Sequence, residues 1–177
     1  LSFFVPALTM RLFSEESKSG SMETLMTLPV NEVHVVTGKY LASFLSTLIM
    51  ISPSIFYVIT TAIFGDPDVG PIIGGYIGTI FLCAGFTAVG VFASSVTKNQ
   101  IIAFFTGFII CIALTMIDTF LVFLPSNIVE FVSYISADMH FRSITQGIID
   151  SRDLVYFITV FALFFTATIK VQQNAKK

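Results

Sequence analysis

Four apolar runs, at residues 40–64, 71–95, 101–124 and 153–169, dictate most of what this chain can fold into. A bilayer core of about 30 Å takes about 20 helical residues to cross, and a backbone in lipid must satisfy its polar groups within its own segment. The first three runs are long enough to cross with some tilt, and the last is just long enough. Residues 1–10 begin inside a fifth apolar run with no initiator Met and no basic leader, so they are expected to be the end of a spanning helix rather than a signal peptide.

The composition agrees with this reading. Hydrophobic residues make up 55% of the 177 and charged residues only 11%, with a mean hydropathy of +0.89. A soluble domain needs roughly a quarter of its residues charged to cover its surface. The expected fold is therefore all-α, a single polytopic transmembrane helix bundle of four full spans plus the end of an earlier one. A net charge of -2 with no basic stripe argues against nucleic acid as a partner and leaves the lipid bilayer as the main surroundings. Cys83 and Cys111 both lie in apolar runs and read as small buried hydrophobes, not as a disulfide or metal ligands.

Polar punctuation separates the spans. Gly65-Asp66-Pro67-Asp68-Val69-Gly70 is a tight turn, residues 96–100 form a short link, and Pro125 stops the third long run. Residues 126–152 carry Asn127, Glu130, Asp138, His140, Arg142 and Asp150, too many polar groups to span, and read as short interfacial or re-entrant helices. Pro53 is expected to kink the span at 40–64.

Of the nine Lys and Arg residues, Arg11, Lys18, Lys39, Lys98, Lys170, Lys176 and Lys177 fall on one side of this layout, and Arg142 and Arg152 on the other. Basic residues near span ends mark the cytoplasmic face. That rule puts residues 11–39 and the C-terminus in the cytoplasm, and 126–152 outside.

Residues 11–39 carry the functional signal. Met22, Leu25, Met26 and Pro29 fall at helical spacing, Gly20 can release a preceding helix, and Pro29 can end the run. A short amphipathic helix of this kind either rests on the lipid surface or offers a partner something to grip.

The pattern Glu16-x3-Gly20-Ser21-x-Glu23-x-Leu25-x3-Pro29, followed by Gly38-Lys39, resembles the integral membrane subunits of ABC transporters of the type-2 exporter class, particularly the gliding-motility-associated permease branch. The resemblance continues in Gly65-Asp66-Pro67-Asp68 with Gly74-Gly75-Tyr76-Ile77-Gly78, in residues 94–100, and in His140-Phe141 with residues 147–153, and so covers essentially the whole chain. It implies a six-helix permease subunit of the bacterial inner membrane, of which the first helix and most of the second lie outside this sequence. It also implies pairing with a second permease subunit, as a homo- or heterodimer, each docked on a separate cytoplasmic ABC ATPase that binds the ATP and Mg. Glu16, Gly20, Glu23, Leu25 and Pro29 would then belong to the coupling helix at the ATPase interface, and 126–152 would form small extracellular helices at the outer end.

The remaining signals are weaker. Thr37-Gly38-Lys39-Tyr40 lacks the earlier Gly and the following Ser or Thr of a phosphate-binding loop, so no cofactor is expected on this chain, and an enzyme is the weakest class considered. His34 and His140 fall on opposite sides of the layout and cannot share a site. Asp118, the one acid inside a span, lies about 10 Å from the outer end at the helical rise. That position favours a hydrated acid or an interhelical hydrogen bond over a transport-pathway role. Gly74 and Gly78, four apart on one face, permit close helix packing, within the subunit or between subunits. Two other classes stay open: a non-transporting membrane anchor of an ATPase-driven envelope or motility machine, and an ion-coupled secondary carrier.

Overall fold

The computed structural model describes residues 1–21, 31–65, 67–120, 134–147 and 150–175. All regular structure among them is helical, as expected. Two short helices, α1 (Phe4–Thr9) and α2 (Ser14–Ser19), precede α3 (Glu32–Ile51). The side chain of Asn31 caps α3 by accepting from Val33 N at 3.1 Å, and Glu32 places an acid in the first turn. The helix thus begins well before residue 40. Hydropathy does not register its polar first two turns, but the cap fixes their start.

Pro53 produces the expected break. A 3-10 turn, Ser52–Ser54, joins α3 to α4 (Ile55–Phe64). Proline has no N–H to offer the Ile49 carbonyl, and Ser52 Oγ donates to that oxygen instead at 2.8 Å. Asp68 then caps α5 (Val69–Val96), and α6 (Gln100–Phe120) follows a link in which Asn99 Oδ1 accepts from Ile101 N at 3.0 Å. Ser136 caps α7 (Ala137–Thr145), a short helix inside the stretch expected to hold such helices. Pro125 and Glu130 lie outside the described residues. Finally α8 (Ser151–Ala175) continues past residue 169 into the polar tail.

Among the described residues, four stretches are long and apolar enough to cross a membrane: Glu32–Phe64, Val69–Val96, Gln100–Thr119 and Ser151–Asn174. They differ sharply in burial. The most apolar part of α5 is 67% buried, against 6%, 17% and 11% for the other three. The sequence of α5 explains this, because six of the eleven glycines fall in it together with Ala84, Ala88, Ala93, Ser94 and Ser95. Small residues on every face let neighbours approach from every side. α5 accordingly packs against α1, α2, α3, α6, α7 and α8.

The contacts are backbone-close at two levels. A Cβ on Gly90 would stand 2.0 Å from Thr9 Oγ1, and Gly107 of α6 meets Pro6 and Ala93 at the same crossing. Nearer the other end, a Cβ on Gly74 would stand 2.2 Å from the Ile144 carbonyl oxygen, and Gly78 meets Phe141 and Ile144. Gly74 and Gly78 therefore face α7 of the same chain. The large side chains of the outer spans, such as Ile49, Phe56, Tyr57, Ile109 and Val155, remain exposed, as lipid-facing groups must. Many hydroxyls in the spans are satisfied within their own helix: Thr47, Thr60, Thr115, Thr159 and Thr168 each donate to a carbonyl one turn back, whereas the buried Thr87 Oγ1 of α5 has no partner among the described residues.

Gly74→Ala is expected to lower thermal stability in detergent by about 1–3 kcal/mol, the usual penalty of forced overpacking. Gly75→Ala has nothing within 4 Å of the added carbon, and is expected to be neutral or to gain up to about 1 kcal/mol of helix propensity. Unfolding followed by circular dichroism separates the two, and equal destabilisation would contradict the packing described.

Candidate functional site

Charged groups gather at the two ends of the bundle, and at each end a polar junction fastens a short helix to the spans. At the basic end, the turn between α1 and α2 is held by one hydroxyl. Ser94 Oγ, near the end of α5, accepts from Phe13 N at 3.0 Å and from Ser14 N at 3.2 Å, and donates to Met10 O at 2.9 Å. The first amides of α2 are thus satisfied by α5 rather than by water, which ties the start of α2 to the central helix. All three groups sit where water is scarce: Phe13, Ser14 and Ser94 are fully buried.

The second tie runs to α3. Lys39 Nζ donates to Leu12 O and to the carboxylate of Glu16, and lies 4.2 Å from the centre of the Phe13 ring. Lys39 can reach because it is on the first turns of α3, next to the buried cluster of Phe13, Val36, Tyr40, Ala88 and Val91. Its alkyl stem packs while the ammonium finds a carboxylate, a carbonyl and an aromatic face. α2 itself carries Glu15 and Glu16 in its first turn and Lys18 in its last, and Gly20 closes it at φ +75°, a left-handed cap that suits glycine.

Of the residues expected at a partner interface, Glu16 and Gly20 lie at this junction, with the Glu16 carboxylate engaged inside the chain. Glu23, Leu25 and Pro29 lie outside the described residues. In the sequence, Lys39 counts towards the orientation and towards the family pattern, and neither of these, nor the failed phosphate-loop match, gives it a partner. The spacing of 23 residues between Glu16 and Lys39 gives no local signal of their meeting.

At the far end, His140 of α7 meets the start of α8. Its Nδ1 lies 2.6 Å from Asp153 Oδ1 and its Nε2 lies 3.1 Å from Tyr134 O. The ring stacks on Tyr156, with centroids 4.3 Å apart, and Tyr156 donates from its hydroxyl to Ile135 O at 2.7 Å. His140 and Asp153 are both nine-tenths buried, and Asp153 Oδ2 has no partner among the described residues. Asp150 just before them accepts from Arg152 N at 3.1 Å, and that bond holds its exposed carboxyl below the ordinary carboxylate range. Asp118, partly buried towards the far end of α6, has no hydrogen bond or ion pair among the described residues. No group of three or more His, Cys, Asp or Glu suited to a metal occurs among those residues.

Between α4, α5 and α7 a crevice of about 270 Å³ opens on the outer surface, lined by Ser54, Val58, Ile72, Gly75, Tyr76 and Phe141. Ser54 Oγ and Tyr76 OH are 3.0 Å apart across it, linking the proline break to α5. The walls are apolar apart from such hydroxyls. This site can accommodate hydrocarbon, but it holds no group suited to acid–base or nucleophilic chemistry.

Ser94→Ala strands two backbone amides at once, and is expected to cost about 1–2 kcal/mol, comparable to losing a strong helix cap. Protease cleavage within residues 10–21 should rise in parallel. Glu15→Gln, which touches neither tie, serves as the control and should change neither readout.

A family model described as ABC-2 family transporter protein matches residues 1–170. No curated protein and no solved structure matches the chain. The match extends from α1 through nearly all of α8 and takes in both junctions. The chain belongs to the ABC-2 family of transporter membrane proteins.

Proposed function

We propose that this chain is the membrane-spanning permease subunit of an ABC exporter-type complex, coupling ATP hydrolysis by a separate cytoplasmic ATPase to transmembrane transport. The family is one of transporter membrane components, and this reading assigns catalysis to a partner chain. The basic end faces the cytoplasm in this reading, by the distribution of Lys and Arg. The ATPase grips the segment from Glu16 to Pro29, with Glu23 and Leu25 at the contact, and keeps ATP and Mg to itself. A second permease subunit completes the pathway.

The observation that supports coupling most directly is the double fastening of α2. Ser94 ties its first turn to α5, and the Lys39–Glu16 pair ties it to α3. A displacement of the docking segment would therefore reach two spans at once, one of them the helix on which α1, α2, α3, α6, α7 and α8 pack. Glu16 acts in this scheme as an internal strut, leaving the direct grip to residues beyond Gly20.

The narrower placement in the gliding-motility-associated branch rests on the sequence resemblance alone, and neighbouring genes for an ATPase and a second permease would support it. An ATPase-driven anchor that does mechanical work would use the same docking segment. Transport into vesicles distinguishes the two.

Glu23→Arg combined with Leu25→Asp is expected to abolish co-purification with the ATPase while leaving membrane insertion and thermal stability unchanged. Normal complex formation by this variant would overturn the assignment of the docking segment.

A further inference from the structure

We propose that His140 and Asp153 form a protonation-dependent latch that holds α7 across the far end of the bundle. α7 is nine residues long and is fastened on its two sides by different means. Towards α5 the contact is steric, with Ile144 and Phe141 seated over Gly74 and Gly78. Towards α8 it is polar, through the His140 ring and its bond to Asp153. Close packing resists compression, whereas the directional hold on α7 itself comes from His140, with Tyr156 tying the residues just ahead of it through Ile135 O.

The hydrogen-bond inventory makes that hold depend on one proton. Both ring nitrogens face acceptors, the Asp153 carboxylate and the Tyr134 carbonyl. A charged imidazolium donates to both, whereas a neutral ring carries a single N–H and must leave one acceptor unserved. Loss of the proton also leaves the Asp153 carboxylate buried without a countercharge, and its Oδ2 already has no partner among the described residues. The stabilisation is therefore present while the ring is charged and is lost as pH rises.

The surrounding groups do not substitute for it. On α7, Asp138 and Arg142 pair with each other at 2.6 Å, with the Arg142 side chain largely exposed. α8 brings Tyr156 against the ring, with Asp150 and Arg152 exposed at its start. α5 contains no charged residue, and its Tyr76 hydroxyl is engaged with Ser54. Asp118 of α6 has no described bond to His140. The helix that the latch holds also carries Phe141 to the wall of the crevice beside α4 and α5, so release of α7 widens that crevice.

The test places a cysteine at Ala137, which is 1% exposed on α7, and uses Met139→Cys, 48% exposed on the same helix, as the reference for intrinsic thiol reactivity. Each is labelled with a membrane-impermeant maleimide in the full chain, in sealed membranes, between about pH 5 and about pH 8, the range over which histidine ordinarily changes charge. The ratio of Ala137→Cys to Met139→Cys labelling should rise about tenfold with pH, as for loss of one charge-assisted hydrogen bond. Adding His140→Gln should make the ratio independent of pH, while Tyr156→Phe should leave the rise in place. A flat ratio in the chain with His140 present overturns the latch, whether or not the variants fold. So does a pH response that survives in His140→Gln.

Discussion

The close approach of backbones along α5 is the constraint on which the remaining structure depends. Within a bilayer, apolar side chains gain nothing from hiding from lipid, so helices associate through contact density rather than through the hydrophobic effect. Gly74 and Gly90 supply that density by letting Ile144 and Thr9 come within distances that a side chain would forbid, and Gly78 leaves close room for Phe141. These contacts recruit two neighbours, α7 at one end through Gly74 and Gly78 and α1 at the other through Gly90. The outer spans can then expose their large residues because α5 has already provided the seam that each of them needs.

The same helix separates the polar chemistry into two ends. Its middle is neutral, and the cores beside it are built from Leu82, Phe86, Val89, Cys111 and Phe157. Among the described residues, two ion pairs join the short helices to the spans, Lys39 with Glu16 beside Ser94 at one end and His140 with Asp153 at the other. At both junctions a non-spanning helix is fastened to two different elements, α2 by hydrogen bonds to α5 and α3, and α7 by close packing on α5 and a hydrogen bond to α8. In the proposed complex, this makes the two ends the places where a partner or a proton can act, and α5 the rigid member between them.

The spans were legible in the sequence because about 20 consecutive apolar residues have few other uses. Pro53 was legible for the same kind of reason, since a missing N–H has a local consequence wherever it falls. The start of α3 was less so. Its polar first turns hide from a hydropathy average, although Asn31 followed by Glu32 is a capping signal that could have located it. The partners of Gly74 and Gly78 were not readable, because a small-residue face announces close packing without saying against what. The ties of Lys39 to Glu16 and of His140 to Asp153 were hidden further, since they join residues 23 and 13 positions apart across turns whose course only the fold determines. His140 was set aside for lack of a histidine partner, when the group that matters to it is a carboxylate at the start of the next span.

The central claim is that α2 and the basic end of α5 move as one body when the docking segment is displaced. Lys18 on α2 and Val96 at the end of α5 are both exposed and accept spin labels without touching either tie. Their separation can be measured in the assembled complex, with and without bound nucleotide. It should stay constant to within about 2 Å, the scale of small helix shifts in a packed unit. A change of about 5 Å or more, the size of a one-turn slip, would show that α2 moves apart from the central helix and would contradict the account.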